Sequence, residues 1–74
     1  MAKRQSTVSE AYLIGVSEGR SLLKRLKADK LDSLETRRSA LLNVQTRLKM
    51  GFGGEMREAL RGERDFWKLQ VENW

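Results

Sequence analysis

Ten carboxylates, one tyrosine and a scatter of serines are the side chains here with some means for acid–base or nucleophilic chemistry, because the 74-residue chain has no histidine and no cysteine. The commonest general base, the reactive thiol and the usual transition-metal ligands are all missing. General acid–base catalysis by carboxyl groups needs a pair whose surroundings push their pKa values apart inside a pocket. Nearly every acid in this chain instead has an Arg or Lys within helical reach, as in Glu58/Arg61, the pattern of surface ion pairs. Tyr12 and the serines have no histidine to activate them. This inventory points away from an enzyme and calls for no cofactor and no metal. It directs attention to groups that act by contact.

Two constellations suit contact. Phe66, Trp67 and Trp74 place three of the five aromatic residues in the last nine positions, and the run Arg64-Asp65-Phe66-Trp67-Lys68 mixes aromatic with basic character. Such residues are the usual anchors of protein interfaces. Phe66, Trp67 and Leu60 are therefore expected to anchor a partner-binding cleft, with Arg64 and Lys68 at its rim and Trp74 at the free end. The alternative is that the rings close the protein's own core. The second constellation is electrostatic. Residues 20–50 carry nine basic against three acidic side chains, a net of +6, whereas 1–19 balance at zero and 51–74 come to −1. Arg20, Lys24 and Lys27 fall at three- and four-residue spacing and can line one helix face as phosphate contacts. No zinc finger, bZIP basic region or helix-turn-helix signature accompanies them. An acidic protein surface would attract the same row, and plain solvation of a helix face would also produce it.

The elements that position these groups read as three helices. Proline is absent, so nothing of that kind interrupts them. The first is expected over about 8–28, capped by Ser6 or Ser9. Tyr12, Gly15, Gly19, Leu22 and Leu26 alternate three and four apart as a seam, widened by Ile14, Val16 and Leu23. Two interior glycines cost about 1 kcal/mol each relative to Ala, so their shared face implies that another backbone comes close. The second helix is expected over 32–50, with Asp32 and Glu35 as a capping box. Its stripe is Leu34, Leu41, Leu42 and Leu48, with Val44 and Gln45 beside it and Arg37 and Arg38 interrupting or flanking it. The register slips by two residues between the first seam and the second, which favours a break near Ala28–Asp32 and a helical hairpin over one continuous helix of about 60 Å. Gly51-Phe52-Gly53-Gly54 marks a sharp turn, with Phe52 free to plug a gap. The third helix, 55–72, carries the stripe Met56, Leu60, Trp67, Val71 and Trp74, with Ala59, Phe66 and Leu69 alongside.

The fold class is therefore all-α: a hairpin plus a C-terminal amphipathic helix in one domain, 8–74, after a disordered basic segment, 1–7. For so short a chain, burial and conformational entropy nearly cancel, and no disulfide or zinc site is there to help. Completion by homodimerisation is expected, with Tyr12, Gly15, Gly19, Leu22, Leu26, Leu41, Leu48 and Phe52 as self-association residues. A monomeric bundle is the alternative. No apolar run reaches membrane-spanning length, and no signal-peptide core follows the polar start, so a cytoplasmic location is expected. An amphipathic helix lying on a membrane surface is a further reading.

The stretch Gly51-Phe52-Gly53-Gly54-Glu55-Met56-Arg57, followed by Arg61-Gly62-Glu63-Arg64-Asp65-Phe66-Trp67, resembles the C-terminal part of small early proteins of lambdoid temperate bacteriophages, encoded between the recombination and excision genes. The segment from Ala11-Tyr12 to Gly19-Arg20 is compatible with that resemblance, which covers about a third of the chain. It implies a non-enzymatic, dimeric protein made soon after infection in the bacterial cytoplasm, promoting lytic development by engaging a host factor. It carries over no catalytic residues.

Overall fold

The computed structural model describes residues 9–74, in which three helices are joined by two short connections. The expected basic segment 1–7 and the alternative cap at Ser6 lie outside the described residues. Helix α1 spans Glu10–Ala28, α2 Leu34–Lys49 and α3 Gly54–Glu72. The all-α expectation holds, and each helix begins and ends within two residues of its expected bounds.

Local chemistry sets those ends. Ser9 caps α1: its hydroxyl accepts from the Tyr12 N–H at 3.1 Å, satisfying a donor the first turn leaves free. The helix stops without glycine or proline. Lys30 takes the left-handed conformation at φ 60°, its N–H bonds to the Lys27 carbonyl and the Leu31 N–H reaches back to Leu26 at 2.8 Å. This is a Schellman closure built on a lysine. Ser33, not Asp32, caps α2, accepting from the Thr36 N–H at 3.0 Å. Thr36 thus occupies the place expected for Glu35, and Asp32 is free to turn elsewhere. Gly51, at φ 90°, ends α2 as expected.

The helices pair differently from the expected hairpin. α1 and α2 both pack on α3, and their backbones do not approach each other. The four residues Met50–Gly53 fold α3 back along α2, so Arg37 near the start of α2 meets Gln70 near the end of α3. The last helix is therefore the central one. It is covered on one side by α1 and on the other by α2, which explains why its interior face is broad: Leu60, Gly62, Phe66 and Trp67 are all buried. With Leu23 of α1 and Val44 of α2 the large ones among them form the core, and Val16, Leu26, Ala40, Leu41 and Leu48 pack against it.

Several stripe assignments change with this arrangement. Leu23, not Leu22, is the buried residue of its pair; Leu22 is exposed. Leu42 points to solvent, while Val44 and Arg37 are buried. Ile14, Met56, Leu69 and Trp74 were expected on apolar stripes and are exposed. A seam of period 3.5 names one narrow edge, whereas each outer helix meets α3 through a face chosen by the crossing.

Candidate partner-binding surfaces

The predicted C-terminal cleft is not open. Trp67 is 1% exposed and Leu60 2%, and Phe66 packs edge-on against Trp67 with ring centroids 5.1 Å apart. These three residues are the core of the bundle, and their assignment as partner anchors is corrected accordingly. The physical reason is the central position of α3: both flanks of its aromatic face are covered by helices of the same chain. At the expected rim, Arg64 is held by Asp65 at 3.0 Å, and Lys68 is exposed. Trp74 is 60% exposed, with the Arg37 guanidinium 4.8 Å from its ring centroid.

The residues expected for self-association divide. Gly15 and Gly19 are buried under α3 of the same copy, so their glycine face is used inside the chain. A methyl carbon at Gly15 would fall 1.9 Å from the Ala59 carbonyl oxygen, and one at Gly62 would fall 2.1 Å from the Tyr12 carbonyl oxygen. Two backbones thus meet with no room for a side chain on either side. Tyr12 donates from its hydroxyl to Asp65 across the same contact. That bond, with burial, raises the Tyr12 pKa and keeps the phenol protonated. Burial pushes Asp65 up, but the bonds from Tyr12 and Arg64 outweigh it, and its pKa is lowered overall. Leu26, Leu41 and Leu48 line the internal core, leaving Leu22 and Phe52 exposed.

Arg37 was read as an interruption of the α2 stripe and is in fact a buried clamp. It meets Asp32 with two 2.8 Å bonds, Nε to Oδ1 and NH2 to Oδ2, and donates from NH1 to the Gln70 carbonyl at 2.9 Å. That carbonyl belongs to the last turn of α3, where oxygens lack helical partners and the dipole favours a cation. No basic residue of α3 itself stands there. The hydrogen bond from Arg37 holds the Asp32 carboxyl below its ordinary range. The sequence signal was available in the Asp32-to-Arg37 spacing across a helix start, but a search for apolar periodicity passes over it.

Two surfaces remain open. Arg20, Lys24 and Lys27 line one exposed face of α1 around Leu23, beside a shallow hollow of about 250 Å³. Among the described residues none of the three is in an ion pair. The second is a groove of about 380 Å³ between α1 and the first turns of α3, lined by Glu10, Ala11, Ile14, Glu18, Glu55, Met56 and Ala59. Ile14 is 53% and Met56 55% exposed there. This groove was missed from the sequence. Its trace was Ile14 midway between Glu10 and Glu18 at steps of four, a stripe distinct from the glycine face. Among the described residues no cluster of three or more acidic side chains is placed to hold a metal ion, and no helix is long and apolar enough to cross a membrane. No protein-family model, curated protein or solved structure matches this chain.

Proposed function

We propose that this protein works by protein–protein contact, not catalysis, and that the contact is made at the Ile14–Met56 groove in place of the aromatic cleft. The observation that carries this is a contiguous apolar floor that no described residue covers, in a chain that buries Phe66 and Trp67 in its own core. Scattered exposed leucines are ordinary, whereas apolar residues gathered in one trough and rimmed by charge are the pattern of a docking site. The resemblance to lambdoid early proteins supplies the setting: a bacterial cytoplasm, early in infection, with a host factor engaged to promote lytic development. Homodimerisation belongs to the same proposal, through exposed Leu22 and Phe52, which lie outside the groove.

The test is the double variant Ile14→Glu/Met56→Glu. Both positions face solvent, so the helices and the cooperative unfolding transition should persist. Loss of the cellular effect is the expected result. A folded variant that keeps it refutes the contact reading. A nucleic-acid-binding role keeps one observation in its favour, the exposed row of Arg20, Lys24 and Lys27, in no ion pair among the described residues. Its affinity for DNA or RNA should fall steeply between low and moderate salt and weaken further when the three become Ala. No binding at low salt eliminates it.

A further inference from the structure

We infer that the occupant of the groove is a basic amphipathic helix of a partner protein, with apolar anchors over Ile14 and Met56 and Lys or Arg along its flanks. This rests on the contact reading above and adds the chemistry of the partner. The chain as a whole carries +5, yet the acidic members of this groove, Glu10, Glu18 and Glu55, are all exposed, and among the described residues no basic one lines it. Among the described residues none of the three is in an ion pair.

The three glutamates are not equivalent. Glu10 and Glu55 sit in the first turns of α1 and α3, where the helix N-terminus already favours an anion. Glu18 has no such support. Its charge opposes that of half-buried Glu63, raising the Glu63 pKa together with burial. Arg47 offsets that repulsion only in part, and a cation arriving at Glu18 on the groove would lessen it further. Its shape is equally informative. Glu10, Ile14 and Glu18 follow one line along α1, with the two carboxylates about 12 Å apart by helical rise. A partner helix with anchors at i and i+4 and basic residues seven or eight positions apart on one flank matches that line.

The experiment uses a displayed library of helix-biased 18-residue peptides with a fixed leucine face and randomised flanking positions, selected on the full-length protein. Net charge alone predicts acidic winners, drawn to the Arg20/Lys24/Lys27 row. The proposal predicts the opposite: Lys and Arg enriched at the flanks, at least tenfold tighter binding of a Lys-flanked than a Glu-flanked member, and a reversed preference on the variant Glu10→Lys/Glu18→Lys. That variant should fold, since Glu18→Lys replaces the repulsion at Glu63 with an attraction and Glu10→Lys in the first turn of α1 loses only a modest helix-dipole contribution. Binders without basic enrichment, or basic enrichment unchanged by the reversal, overturn the basic-helix proposal. If such binders still depend on Ile14 and Met56, the contact reading survives alone. If no peptide binds and the Ile14→Glu/Met56→Glu chain keeps its cellular effect, both fall. Concentration-dependent association of the chain with itself, abolished by Ile14→Glu and blocking every peptide, would assign the groove to a second copy and reject the partner helix.

Discussion

The two contacts made by α3 are built on opposite principles. Against α1 it brings backbone to backbone, with Gly15 facing the Ala59 carbonyl and Gly62 facing the Tyr12 carbonyl. Against α2 it relies on side chains: Val44, Leu41 and Leu48 fill the space, and Arg37 ties the end of α3 to Asp32. The first contact cannot adjust, because what a new atom would meet is main chain. The second can, because rotamers and long side chains yield. A close crossing held by missing side chains fixes geometry, and a side-chain contact supplies burial and satisfies polar groups. The protein divides the two tasks between its outer helices.

The largest effect should come from the rigid side. In an ordinary helix interior Gly→Ala gains about 1 kcal/mol. Here Gly15→Ala and Gly62→Ala should each cost about 3 kcal/mol or more in urea unfolding, since the helices must part to admit the methyl group. Gly19→Ala should cost less, because the added carbon meets the Phe66 ring and not backbone. Gly53→Ala, with open space around it, should stay folded with little change. A stabilised Gly15→Ala would break the contrast.

On the α2 side, Arg37→Ala should cost about 2 kcal/mol, from lost charged hydrogen bonds and the buried stem. Arg37→Lys should restore only part of it, because an ammonium cannot reproduce the fork that meets both Asp32 oxygens. Full recovery by lysine would mean that charge alone, not bidentate geometry, holds α3 to α2. The connection between the two outer helices should respond in the favourable direction. Lys30 bears a side chain in a conformation that glycine adopts freely, so Lys30→Gly should add about 0.5–1 kcal/mol. No gain would imply that the Lys30 side chain makes a compensating contact.

These residues also show where sequence reading succeeds and where it stops. Helix existence was legible because caps and glycines act locally: Ser9 and Gly51 do at their own positions what their types favour. The Gly15/Gly19 spacing announced a close backbone neighbour, which Gly15 meets at Ala59, while Gly19 meets the Phe66 ring. It was silent on whose backbone, because a face records its own smallness and not the identity of what covers it. The α1–α2 break was legible from the register slip, although the left-handed residue that makes it is a lysine. Arg37 and the Ile14–Met56 groove left only faint traces for a common reason. Polarity scales place arginine outside and isoleucine inside, while burial depends on whether a group's bonds are met and whether a neighbour reaches it. Arg37 has its partners, and Ile14 stays half exposed in the groove beside Met56.

The smallest predicted effect falls on Glu63, where the two contacts meet. Burial and the Glu18 carboxylate of α1 raise its pKa, while Arg47 of α2 lowers it in part. An acid whose folded-state pKa lies above its unfolded value penalises the folded state when ionised. That penalty is complete at neutral pH and disappears as pH falls through the raised value toward about 4.3. Stability should therefore rise slightly on mild acidification. It should then decline at lower pH, as Asp32 and Asp65, both depressed, lose charges that stabilise the fold. Glu63→Gln should abolish the rise and make the protein more stable at pH 7, with the acid decline intact. Carboxyl titrations by NMR locate the cause: Glu18→Gln should move the Glu63 midpoint down and Arg47→Ala should move it up. Equal indifference to both changes would leave burial as the sole origin, and the two outer helices would not be coupled through this carboxylate.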